Sequence, residues 1–175
     1  MDRYFLIGGV LVALAGAVVD VRTARISNRL TYTTLLIALL LRATLLGVSG
    51  LKSGVLGFFI SGGLFLFLFA LGAMGGGDMK LMAAVGAWVG GTQVLTLVLS
   101  AAMAGGVLAL GRMILSKSLA QSLRNTVHLL YYRLTSGIRV HPELNVQSAR
   151  SLRVPFGVAI AVGALSCAGK AIWWR

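Results

Sequence analysis

Six apolar runs separated by short polar or glycine-rich breaks make up most of this chain: residues 4–19, 31–48, 55–74, 79–90, 94–115 and 154–173. None alternates apolar and polar positions with period two, so the runs predict helices rather than the strands of a membrane barrel. The run 79–90 is short. A dozen residues at ~1.5 Å each reach ~18 Å, well under a hydrocarbon core of ~30 Å. Such a helix either starts below the membrane surface or sits where the bilayer is thinned. Both place the break before it in a recess enclosed by protein or water.

The breaks carry the polar chemistry. Asp20 closes the first run and leads into Val21-Arg22-Thr23-Ala24-Arg25-Ile26-Ser27-Asn28-Arg29. Gly50 to Ser53 is read as the turn between the second and third runs, and Arg42 as a snorkelling cation near the outer end of the second. The third break, Gly75-Gly76-Gly77-Asp78-Met79-Lys80, sets an acid directly behind three glycines, which interrupt a helix and free the backbone. Gly90-Gly91 ends the fourth run, and Gly105-Gly106 offers a close-packing point in the fifth. Residues 116–153 form the one long hydrophilic region. In it Leu119, Leu123, Val127, Leu130 and Leu134 recur at helical spacing, as in a helix lying on the membrane or packing on the bundle.

Composition agrees with the pattern. The chain has 175 residues, 58% of them apolar and 11% charged, against about half and a quarter in soluble domains. One membrane-embedded domain, 1–175, is expected, all-α with six transmembrane helices in a lipid bilayer. The formal net charge of +12 is read as topology and headgroup contact, not nucleic-acid binding, because no base-stacking module accompanies it. Cys167, the single cysteine, is read as a small buried apolar residue. His128, His141 and Glu143 are read as surface groups. No metal or cofactor is expected, since ligand-spaced clusters are missing.

Charge also orients the spans. With the N-terminus outside, the cytoplasmic segments hold Arg22, Arg25, Arg29, Lys80, Arg112, Lys117, Arg124, Arg133, Arg139, Arg150 and Arg153. The opposite side holds Arg3, Arg42, Lys52, Lys170 and Arg175. That excess fits the positive-inside rule, and it needs the short fourth helix to cross. It brings Asp20 and Asp78, two of only four acidic residues, to one cytoplasmic face. Two carboxylates close together share a proton, so one can activate water while the other protonates a carbonyl or leaving amine. The alternatives are that Asp20 pairs with Arg22 or Arg25 and Asp78 with Lys80, or that both serve a small proton- or cation-coupled transporter.

At these residues the chain resembles a known family. Gly75-Gly76-Gly77-Asp78 is similar to the GxGD signature of intramembrane aspartic peptidases, and Met79-Lys80-Leu81 to its continuation in type IV prepilin peptidases. Asp20 with Ile26-Ser27-Asn28 resembles that family's Asp and downstream Ile-Pro-Asn, with Ser27 where proline is usual. Pro155-Phe156-Gly157 resembles its PYG-like stretch, with Phe156 where tyrosine is usual. The methyltransferase insertion with paired CxxC motifs is missing, as in the short Tad/Flp (CpaA-like) type. The resemblance implies a peptidase of the inner membrane, facing the cytoplasm, that removes the basic leader of a prepilin without methylating the product. It implies Asp20 and Asp78 as catalytic residues. Gly75, Gly76, Gly77 and Lys80 would shape the loop. Asn28 would either orient the Asp20 loop or cap the second span. Signal-peptide-peptidase and presenilin types resemble nine-span proteins with a Tyr-Asp motif; here Val19 precedes Asp20.

Overall fold

A computed structural model describes residues 2–23, 25–71, 74–116, 124, 127 and 155–173. Among them every regular element is a helix: α1 (Asp2–Thr23), α2 (Asn28–Ala70), α3 (Gly76–Val89), α4 (Val94–Leu115) and α5 (Phe156–Trp173). Four of these, all but α3, are long and apolar enough to cross a membrane. Apart from Ser116, Arg124 and Val127, the region 116–153 lies outside the described residues, and with it the expected amphipathic segment, both histidines and Glu143.

The expected second and third runs form one element, α2, folded back on itself. The fold point is Gly47, at φ 64° and ψ −154°. Gly50 to Ser53, expected to be the turn, are helical instead. The reason is steric: the backbone at the reversal lies in a region open essentially to glycine alone, and Gly47 supplies it. Contacts across the fold confirm the reversal. A Cβ placed on Gly54 would lie 3.3 Å from Leu39 Cδ2, although fifteen residues of straight helix span ~22 Å. Nothing stands within 4 Å of a Cβ built on Gly47 or on Gly63. Gly47→Ala therefore isolates backbone strain, and we expect it to cost about 1–3 kcal/mol. Gly63→Ala, in ordinary helix, should leave the thermal midpoint in detergent unchanged or raise it. Equal midpoints for the two variants would contradict this account of the fold point.

The two arms of α2 embrace α3, the most extensive helix-to-helix contact among the described residues. The packing is built on small residues. A Cβ on Gly57 would strike the Gly86 carbonyl, one on Gly86 would strike Ser61 Oγ, and one on Gly62 would reach 2.8 Å from Ala83 Cβ. Ser61 Oγ bonds both its own helix at Gly57 O (2.7 Å) and α3 at Met82 O (3.1 Å). On the other flank Gly8 meets Trp88 and Gly16 meets Leu81, so α1 runs antiparallel to α3. Every residue from Leu81 to Gly90 is buried. A helix apolar on all sides belongs inside a bundle, and α3 is that central helix. α5 packs on α1 and α4. Of the expected close-packing pair, Gly105 receives the Phe156 ring while Gly106 faces open space. Cys167 is buried, as expected.

Arg42 departs from expectation. It does not snorkel but is buried, with 2% of its surface exposed. Its Nε donates to Ala87 O (2.9 Å) and its Nη2 to Trp88 O (2.6 Å), and the guanidinium stands 4.6 Å from the centre of the Phe5 ring. The last carbonyls of a helix have no intrahelical donor. In α3 those carbonyls end inside the protein, and Arg42 supplies the missing N–H groups and a favourable charge at the negative end of the helix dipole. Gly90, at φ 80°, turns the chain away, and Gly91 N–H donates to Ser53 O (2.9 Å).

Candidate active site

The end of the bundle opposite Arg42 collects the sequence-predicted residues. The register of α1 on α3 brings them there. Gly8 lies on Trp88 and Gly16 on Leu81, so one further turn of α1 carries Asp20 to the level of Gly77 and Asp78. Both aspartates are half-buried. α1 does not stop at Asp20. It continues to Thr23, whose Oγ1 donates back to Val19 O (2.8 Å) and to Arg25 O (2.9 Å). Asp20 is therefore held on rigid helix, not at a frayed end.

The following loop folds under α3. A Cβ on Gly77 would lie 3.2 Å from Ile26 Cβ. Ser27, which stands where the related motif has proline, is the N-cap of α2, its side chain accepting from Arg29 N (3.2 Å). Asn28 is thereby the first helical residue and not the cap. Its side chain does something else: Asn28 Oδ1 accepts from Lys80 Nζ (2.9 Å), which also stands 5.5 Å from the centre of the Tyr32 ring. Lys80 thus ties the start of α2 to the start of α3 and is not the partner of Asp78. Among the described residues, neither aspartate is ion-paired with a lysine or arginine.

The glycines act otherwise than expected. Gly75 is the N-cap of α3 at φ −79°, and Gly76 and Gly77 already belong to the helix. None needs the special freedom of a positive φ. What they provide is room: besides the Ile26 contact of Gly77, a Cβ on Gly76 would lie 3.3 Å from Phe69 Cε2, and one on Gly75 3.2 Å from Asp78 Oδ2. Asp78 occupies the first turn of α3, outside the four membrane-length helices.

Electrostatics mark Asp78. Its carboxyl is pushed up to about 7, first by burial and second by the neighbouring Asp20 carboxylate, while the Gly75 backbone N–H acts in the opposite sense. The two acids are therefore within electrostatic reach of each other. The shift has a consequence for stability. The folded protein keeps the Asp78 proton up to about pH 7, whereas the unfolded chain releases it near 3.8. The stability this group contributes is complete below the lower value and is lost as pH rises through the higher one. Asp78→Asn should match the wild type near pH 4 and exceed its thermal midpoint by a few degrees near pH 8, at about 2–4 °C per kcal/mol. An offset independent of pH would contradict the shift.

Asp20 has one partner the sequence reading did not identify. Gly157 N–H, at the start of α5, donates to Asp20 Oδ2 (2.9 Å). The signal available in sequence was Pro155 two residues ahead of a glycine, which marks a helix start but does not say what it faces. Ala17, Val18, Val21 and Arg22, which flank Asp20 in sequence, line with Val158 a shallow, open apolar groove. Among the described residues no group of three or more His, Cys, Asp or Glu side chains gathers as a metal site. Chemically, the arrangement offers two acids of unlike surroundings, sharing charge, next to an apolar groove.

Comparison with protein families matches the type IV leader peptidase family over residues 7–110, a stretch that contains Asp20 and Gly75 to Lys80. No curated protein and no solved structure gives a match.

Proposed function

The chain belongs to the type IV leader peptidase family, and we propose that it cleaves prepilin leaders as an aspartic endopeptidase with Asp20 and Asp78 as its catalytic pair. The observation that carries this reading is the electrostatic coupling of two half-buried carboxylates, from α1 and α3, that no described cation neutralises. Such a pair holds one proton up to about pH 7, the state needed to activate water and protonate an amide together. Lys80 and Asn28 clamp the two motif-bearing segments, and Gly75, Gly76 and Gly77 let them approach.

The protein is a multi-pass membrane peptidase. Six passes are proposed: α1, the two arms of α2, α3 from Met79 onward, α4 and α5. The antiparallel contacts of α1 with α3 and the reversal at Gly47 support alternating directions. The site end carries Arg22, Arg25, Arg29, Lys80 and Arg112, against Arg3, Lys52 and Lys170 at the other. Arg42 drops out of the comparison because its charge is spent on α3. The bias supports an active site on the cytoplasmic face of the inner membrane. A substrate with a basic leader in the cytoplasm and an apolar segment in the bilayer fits that geometry. The shallow groove along Ala17, Val18, Val21 and Val158 suits the apolar segment, with the scissile bond reaching Asp20. Flp-type substrates and cleavage without methyltransfer are proposed because residues 1–175 hold no paired CxxC motifs.

Co-expression with candidate prepilins, followed by mass spectrometry of their N-termini, tests the reading. Loss of a discrete leader is the expected result. Intact prepilins together with carboxylate-dependent proton or cation flux in liposomes would favour a transporter instead.

A further inference from the structure

The first N–H groups of a helix have no acceptor within it. Gly157 is the second residue of α5, so its amide is free to bond elsewhere, and it is aimed at Asp20 Oδ2 at 2.9 Å. The approach is as close as the backbone permits. A Cβ on Gly157 would lie 3.0 Å from Asp20 Cβ, 3.1 Å from its Oδ2 and 3.1 Å from Ala17 Cα. Phe156 anchors this end of α5 from the other side. Its ring fills the space left by Gly105 and lies 5.7 Å, centre to centre, from the ring of Phe65. The amino end of α5, with its partial positive charge, is thus fixed against Asp20, whereas Asp78 faces the Gly75 amide of its own helix.

We propose, resting on the peptidase reading above, that the Gly157 amide is a positioning group that keeps Asp20 the charged member of the pair, so that Asp20 is the base and Asp78 the acid. Asp20 takes a proton from the attacking water as the water oxygen bonds to the scissile carbonyl carbon. Asp78 gives its proton to the carbonyl oxygen. On collapse, Asp20 passes its proton to the leaving nitrogen, the C–N bond breaks, the carbonyl re-forms and its proton returns to Asp78. Water and peptide become acid and amine, with both carboxyls restored. The raised value of Asp78 agrees with its part as proton donor.

The test removes the N–H and leaves every side chain in place. Replacing residue 157 by glycolic acid, through nonsense suppression, turns the amide into an ester without adding an atom. No intrahelical bond of α5 is lost, so folding should be spared. We expect kcat for leader cleavage to fall by about 10- to 100-fold, the size of one charge-assisted hydrogen bond. KM should stay unchanged, and the thermal midpoint should fall by no more than the few degrees that one lost hydrogen bond accounts for. Gly157→Ala, made by ordinary mutagenesis, should lower kcat in the same sense. At about pH 6, above the ordinary carboxylate range, the infrared band of a protonated carboxyl should vanish in Asp78→Asn and persist in Asp20→Asn. An ester variant with wild-type kcat, a loss confined to KM or stability, or the reverse infrared result would overturn the proposal. Retained cleavage in Asp20→Asn would sink the peptidase reading itself. Inactive Asp variants beside a fully active ester variant would remove this inference alone.

Discussion

Asp20→Asn and Asp78→Asn are each expected to lower leader cleavage by about 100- to 10,000-fold, the range of general acid–base catalysis. The double variant should be little worse than either single one, because groups that act as a unit lose their effect together. The expectation follows from placement. Gly8 on Trp88 and Gly16 on Leu81 set the register that puts Asp20 level with Asp78. Each acid sits on regular helix, so its replacement by an amide of the same shape changes charge and proton supply, not fold. Rates of prepilin processing in detergent, with circular dichroism as a control for folding, decide the matter. Cleavage within a few-fold of wild type in either variant would rule out the pair.

The largest effect on stability should come from Arg42→Ala. Two charged hydrogen bonds to Ala87 O and Trp88 O disappear, at roughly 1.5–3 kcal/mol each, and two buried carbonyls lose the donors Arg42 supplied. We expect about 3–6 kcal/mol in all, a drop in thermal midpoint of about 10 °C or more. Arg42→Lys should recover only part of it, because one ammonium does not reproduce the guanidinium fork that spans two carbonyls and stacks on Phe5. Cleavage should fall as well, since α3 carries Asp78 at its other end. A wild-type midpoint for Arg42→Ala would show that the carbonyls find other donors.

The helical character of the chain, and the family, were legible in sequence because long apolar runs and the motifs around Asp20 and Asp78 are local signals. Positions that depend on one helix meeting another were not. The polar Lys52-Ser53 pair drew the expected turn to Gly50 to Ser53, whereas the chain reverses at Gly47, where only a backbone angle distinguishes the residue. Arg42 looked like a snorkelling cation because a sequence does not reveal that α3 ends beside it. The three glycines before Asp78 suggested backbone freedom, yet their φ values are ordinary and their use is clearance for Phe69, Ile26 and the Asp78 carboxylate. Gly54, Gly57 and Ser61 form a stripe of small residues on one face of α2, a pattern that announces close packing but does not name Gly86 as its partner. The Gly157 amide left no trace in side-chain chemistry.

The most direct measurement of the central claim, that Asp20 and Asp78 work as one unit sharing a proton, is the pH dependence of kcat for prepilin cleavage by the wild-type protein. The Asp78 carboxyl, pushed up to about 7, keeps its proton below that value and loses it above. Once both acids are ionised the pair has no proton to give, whichever of them acts as base. The rate should fall as pH rises through about 7. A rate that is flat or rising across that range would contradict it.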